Sequence, residues 1–200
     1  MIIKIDIKYF LPLLSAASVL RKERYFRELL TLAKRENISS KKIYEAILQS
    51  YLFAGFPSAL ISLKIFSEFF KPNIINDKYE IDDFKKRGIK NCKKVYGYKY
   101  SKLISNVHSF SPDLSEWLII EGYGKTFGRK ALSMKERELS IVSILTALNF
   151  KDQLISHFIG ALRCGNTVDD IKISLKNLNL IGENNKAIWG LKIFNNLDLK

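Results

Sequence analysis

Two polar residues interrupt an apolar stretch late in the chain: Glu138 and, nineteen residues on, His157. A carboxylate beside an imidazole orients the ring and decides which nitrogen carries the proton, so this pair is equipped for proton transfer. Arg129 and Arg137 lie close by in sequence. A guanidinium can hold a carboxylate through two parallel hydrogen bonds. Tyr123 could donate one more. From residue types alone, Glu138 and His157 make a candidate proton-transfer pair. The structural alternative makes Glu138 an exposed first-turn acid, His157 a satisfied edge residue and Tyr123 a packed aromatic at a helix end.

Two helices must position the pair. Ser133 is a good N-cap, and Glu136 three residues later completes a capping box. The first helix then shows Leu139, Val142, Leu145 and Thr146 at near-helical spacing and should end around Asn149. The second begins near Lys151 and carries Leu154, Ile155, Phe158, Ile159 and Leu162, with Gly165 as its C-cap. A helical hairpin of this kind can bring Glu138 and His157 together.

The segment GYGKTFGRKALSMKERELSIVSILTAL, followed by LISHFIGALRCGNTVDDI, resembles the carboxymuconolactone decarboxylase family. The likeness rests on the Tyr-Gly, the Arg before the short Leu-Ser segment, the Arg-Glu-Leu and the later His-x-x-x-Ala-x-x-x-Gly. It extends over about residues 84–197. It implies an all-α fold, a helical bundle of the alkylhydroperoxidase-D-like type, and an oligomer. The peroxidase branch of that family has a Cys-x-x-Cys pair between its Glu and His. Phe150 and Gln153 stand at those positions here, so no dithiol cycle can run there. The resemblance therefore implies the decarboxylase-like branch. His157 is the acid/base, Glu138 its partner, Arg129 or Arg137 the substrate anchor and Tyr123 a further donor. The substrate would be a small carboxylated lactone or keto acid, with no cofactor and no metal. The alternatives are an alkylhydroperoxidase-like antioxidant protein, reduced to Cys164 two turns after His157, or a non-catalytic oligomeric scaffold.

The chain also repeats itself. Ser39–Phe66 lies over Thr167–Phe194 without a gap, at an offset of 128 residues. Ile43 meets Ile171, Leu52 meets Leu180, Ala59 meets Ala187, and Leu63-Lys64-Ile65-Phe66 meets Leu191-Lys192-Ile193-Phe194. Upstream, Leu11 meets Leu139, Leu20 meets Leu148 and Ala33 meets Ala161. The expectation is two tandem copies of one helical core. Residues 1–70 form a degenerate first copy, 71–83 a linker, and 84–200 the decarboxylase-like domain. The first copy has Phe10 in place of Glu138 and Leu29 in place of His157, so it carries no proton-transfer pair. Gly55 and Pro57 mark a helix break within it. Single-copy members of the family assemble as trimers or hexamers, so a trimer of duplicated chains is expected.

Composition adds bounds. Lys and Arg number 33 against 20 Asp and Glu, a formal charge of +13. Such an excess favours a small anionic substrate or another acidic partner. The densest basic run, Lys85–Lys94, lacks the aromatic interleaving of a nucleic-acid groove and reads as a solvated helix face. Tyr9–Leu20 imitates the core of a signal peptide but is too short to span a membrane, and the repeat argues for a structural helix. Two cysteines in separate segments, Cys92 and Cys164, offer no redox pair and suit a reducing, cytoplasmic compartment. Neither a phosphate loop nor zinc spacing is present, and His108 reads as a surface residue. Ser111-Pro112 opens a helix carrying Leu114, Trp117, Leu118 and Glu121, Thr167 with Asp170 opens another, and Asn184-Asn185 marks the last turn before the final one.

Overall fold

A computed structural model describes residues 3–71 and 79–198. Much of the 71–83 linker therefore lies outside the described residues. The chain divides into two compact units, Met1–Asn73 with Ala131–Lys200, and Ile74–Lys130. Every regular element among the described residues is helical, as an all-α fold requires.

The first unit opens with α1 (Phe10–Val19), α2 (Glu23–Arg35), α3 (Ser40–Gln49) and α4 (Tyr51–Phe69). The second holds α5 (Ile81–Tyr96), α6 (Tyr100–Phe110) and α7 (Pro112–Trp117), which runs into a π-helical segment, Leu118–Thr126. The chain then returns to the first unit with α8 (Met134–Leu148), α9 (Lys151–Arg163), α10 (Val168–Lys176) and α11 (Asn184–Asn195).

Within the first unit the helices recur at the offset of 128. α2 and α9 begin and end at equivalent residues, 23 with 151 and 35 with 163. The turns before and after them also match. Arg21 (φ 53°) corresponds to Asn149 (φ 60°), and Asn37 (φ 53°) to Gly165 (φ 92°). Gly55 (φ 73°) breaks α4, and the stretch that follows begins at the position equivalent to Asn184, where α11 starts. Asn184 and Asn185 thus open the last helix rather than preceding it. Packing repeats as well. The Ser18 hydroxyl donates to Ser62 across 2.8 Å between α1 and α4. At the equivalent crossing Thr146 of α8 lies against Gly190 of α11, where a Cβ would stand 2.7 Å from the threonine methyl.

The equivalent helices α1 and α8 pack against each other at the centre. Every residue of α1 is buried, and in α8 every residue from Arg137 to Ala147 is buried. The alternation expected along α8 is therefore absent, because α1, α9, α10 and α11 enclose it on all sides. This also accounts for the apolar run at Tyr9–Leu20, which is core. The longer apolar helix is α4, which has the length and composition of a membrane span (mean hydropathy 1.3). Its break at Gly55 leaves one continuous piece from Phe56 to Phe69, about 21 Å at 1.5 Å per residue. A hydrocarbon core is roughly 30 Å thick. Ala59, Ile65 and Phe66 of that piece are buried in the unit.

Two ion pairs join the halves reciprocally. Lys8, before α1, lies 2.5 Å from Asp170 on α10. Lys42 on α3 lies 2.5 Å from Glu136 on α8. Asp170 also accepts from the Tyr9 hydroxyl at 3.0 Å and closes a capping box with Thr167. Burial alone would push the Asp170 carboxyl up, but Lys8, the Thr167 N–H and the Tyr9 hydroxyl outweigh it and hold it well below the usual carboxylate range.

In the second unit, α5 meets the π-helical segment at unusually short range. A Cβ on Gly88 would stand 2.1 Å from the Ile119 carbonyl oxygen, and one on Gly124 equally close to that of Phe84. The carbonyls of this segment find side-chain donors: Arg87 Nε to Gly124 at 2.5 Å and Asn91 Nδ2 to Tyr123 at 2.9 Å. In α7 and the π-helical segment the buried residues are Ser115, Ile119, Gly122, Tyr123, Gly124 and Thr126, while Leu114 and Trp117 are exposed. Gly88 and Gly124 stand at the two closest contacts because a side chain at either would not permit this approach. Ser111 caps α7 as expected, Lys85, Lys86, Lys90, Lys93 and Lys94 of the basic run are exposed, and His108 is at the surface.

Two outcomes follow. Gly88→Ala should lower unfolding stability by about 1–3 kcal/mol, the ordinary cost of overpacking. Gly122→Ala, whose added methyl would meet only the flexible Leu118 side chain at 3.9 Å, should not; denaturant unfolding compares the two. The depressed Asp170 makes a second expectation. Its unfolded value is near 3.9, so its contribution is complete above about pH 5 and is lost as pH falls toward the native value. Melting curves from pH 6 down to 2 should show an acid loss that Asp170→Asn reduces.

Candidate active site

Ser133 starts α8 with a full capping box: its hydroxyl accepts from the Glu136 N–H and the Glu136 carboxylate accepts from the Ser133 N–H. That fixed start places Arg137 and Glu138 at the end of the first turn, pointing into the unit. Asn149 in the left-handed region ends the helix, Phe150 turns the chain, and α9 brings His157 back across α8.

His157 Nδ1 lies 2.9 Å from Glu138 Oε2. The glutamate is fully buried and the histidine 6% exposed. Glu138 is therefore not an exposed first-turn acid, nor His157 an edge residue, because α8 has no exposed face at this level. Glu138 Oε1 is buried with no hydrogen-bond partner among the described residues. The ring of Phe53, from α4, stands edge-on to the imidazole at 6.3 Å between centroids.

Arg137, next to the pair in sequence, is fully buried too. Its guanidinium donates to Glu45 Oε2 at 3.1 Å and to Gln49 Oε1 at 3.2 Å, both from α3 and both fully buried. Gln49 Nε2 has no acceptor among the described residues. A buried carboxylate oxygen and a buried amide N–H without protein partners are groups that a small polar molecule or water would satisfy.

The first unit therefore brings Glu138 and His157 together and commits Arg137 to an ion pair. Tyr123 and Arg129 belong to the second unit. Tyr123 is buried in the π-helical segment against Tyr96 and Phe127. Arg129 follows that segment and is half-buried, its N–H donating to the Thr126 carbonyl. Phe150 and Gln153, where a dithiol would stand, are exposed. Cys92 is buried and Cys164 half-buried, and they do not form a disulfide. Among the described residues no three His, Cys, Asp or Glu side chains gather in a way that could hold a metal ion.

Sequence reasoning missed Glu45, Gln49 and Phe53. A signal existed: they follow one another at four-residue intervals, and Glu45 and Gln49 lie among the buried Ile43, Ala46 and Ile47. A carboxylate and an amide in such company need a buried partner.

No protein-family model matches the chain. The chain is similar to Peroxisomal protein 2 of Schizosaccharomyces pombe, 28% identical over 144 residues, which cover 70% of this chain and 67% of that protein.

Removing one member of a buried ion pair strands the other, at a cost of about 3–5 kcal/mol, whereas replacing both by apolar groups is often neutral. Glu45→Leu should therefore destabilise strongly, and adding Arg137→Met should recover most of the loss. Urea unfolding of the single and double variants reads the difference.

Proposed function

We propose that this chain is a carboxymuconolactone decarboxylase-like, cofactor-independent lyase acting by acid/base chemistry on a small carboxylated lactone or keto acid. One observation carries the reading. The equivalents of Glu138 and His157 in the first half are Phe10 and Leu29, both fully buried in the same fold. The architecture thus accommodates hydrocarbon at these two positions. A buried carboxylate and imidazole are costly substitutes for it, which makes them a functional candidate rather than a structural need.

In this reading Glu138 holds Nδ1, and His157 exchanges protons through Nε2. The substrate's carbon–carboxylate bond breaks, carbon dioxide leaves, the bond's electron pair becomes the enolate, and a proton carried on His157 Nε2 passes to carbon and is replaced from solvent. Arg137 is neutralised by Glu45 and is not the first choice as an anchor. Arg129 and Tyr123 are assigned to the substrate by the family resemblance alone. The net charge of +13 supports an anionic substrate.

The proposal includes a homo-oligomer, a trimer of duplicated chains. Leu60 and Ile188 occupy the same position in the two halves and are 62% and 57% exposed. Twice-presented apolar surface of this kind supports assembly of several chains. A peroxisomal setting, supported by the name of the similar yeast protein, stands beside the cytoplasmic one that the cysteines suggested. A fluorescent fusion of the chain viewed with a peroxisomal marker separates them.

Decarboxylation of 4-carboxymuconolactone, followed by ultraviolet absorbance, tests the activity. Wild type should turn over. His157→Ala and Glu138→Gln should each lose about 10²–10⁴-fold in kcat, the range for a general acid/base. Turnover that survives His157→Ala would reject the assignment of the proton-transfer residue. No turnover in any variant would reject this substrate and favour the scaffold.

A further inference from the structure

We infer that Lys8, Lys42, Glu136 and Asp170 form a pairing code by which each half of the chain accepts the other and rejects a copy of itself. Lys8 and Glu136 are the same position in the two halves, and so are Lys42 and Asp170. The two contacts, Lys8–Asp170 and Lys42–Glu136, are therefore one contact seen twice, as in an isologous interface. Their signs are segregated. The first half carries lysine at both positions, and the second half carries an acid at both.

The consequence is selective. Two first halves packed in this geometry would set Lys8 against Lys42 at both contacts. Two second halves would set Glu136 against Asp170 at both. Only the mixed pair brings opposite charges together. Discrimination of this sort comes from the repulsion built into the wrong pair as much as from attraction in the right one.

Two neighbouring contacts point the same way. Arg137 of the second half reaches Glu45 of the first at 3.1 Å with both side chains fully buried. The residue equivalent to Glu45 is Ile173, so pairing two second halves would bury the guanidinium against an isoleucine. Tyr9, equivalent to Arg137, donates to Asp170, and its counterpart in a pair of first halves would be Lys42. Lys135 adds a longer contact of 3.6 Å to Asp170 from within the second half, so it is present in either pairing and softens the repulsion between two second halves, whereas its first-half equivalent, Ile7, leaves the lysine–lysine contacts unrelieved. The code also bears on the dyad's surroundings, since Glu45, Gln49 and Phe53 meet Arg137 and His157 only in the mixed pair.

Two measurements test this. In the intact chain, Lys42→Glu should melt lower than Lys42→Met by about 2–4 °C. Adding Glu136→Gln, which keeps the capping box, should recover that excess. Equal melting of Lys42→Glu and Lys42→Met would overturn the inference. The second measurement uses the whole polypeptide nicked at a protease site placed between Lys71 and Tyr79, then denatured, refolded and weighed by native mass spectrometry. Wild type should return pairs of unlike pieces. Lys42→Glu gives the first piece one base and one acid, which makes it self-complementary, so its self-pairs should rise roughly tenfold or more. Wild-type pieces that self-pair as freely as the variant would refute the code. If the nicked pieces do not refold, the intact-chain melts decide alone.

Discussion

The packing of α1 against α8 is the constraint on which the first unit rests. α1 is almost wholly apolar, and both α1 and the stretch of α8 from Arg137 to Ala147 are buried on every side, so neither stretch has a face that could be left to solvent. Each needs the other, and each is wrapped by the three helices of its own half. The reciprocal ion pairs, the Arg137–Glu45 contact and the Glu138–His157 pair all lie on residues at or near the starts of these two helices or on what crosses them.

Burial sets the terms for the polar groups. A charge placed in such a core requires a partner of good geometry, and α3 supplies it for Arg137 through Glu45 and Gln49. The imidazole and carboxylate satisfy one another, yet one oxygen of Glu138 and the amide nitrogen of Gln49 are left over among the described residues. A half whose twin is content with Phe10 and Leu29 has no packing reason to carry this cluster. On the proposed reading, its unsatisfied atoms are what a substrate would meet.

The hairpin, both capping boxes of the second half, the break at Gly55 and the repeat were legible because each is a local rule: a cap needs its residue at N-cap and N3, a left-handed turn favours Gly or Asn, and a repeat needs only alignment. The burial of Glu138 was not legible. Periodicity assumes a helix with an outside, and α8 has none from Arg137 to Ala147. The contacts of Gly88 and Gly124 were also hidden, since Leu114 and Trp117 offered the stronger apolar pattern and close backbone approach leaves no hydrophobic signature. Glu45 and Gln49 escaped because their meaning depends on an arginine some ninety residues away.

Duplication within one chain removes a restriction that binds a symmetric dimer. In a homodimer every substitution appears on both sides of the axis, so a contact must remain compatible with its own image. Here equivalent positions are free to differ. One half can keep lysines where the other has acids, and one can keep hydrocarbon where the other carries a carboxylate and an imidazole. The segregated charges then do more than add two partly exposed ion pairs, each of which contributes on the order of 0–1 kcal/mol. They make the arrangement directional, so that α3 of the first half, with Glu45 and Gln49, always faces the Arg137 of the second. An asymmetric site built from two similar halves requires a device that tells the halves apart, and four side chains at two equivalent positions are sufficient for it.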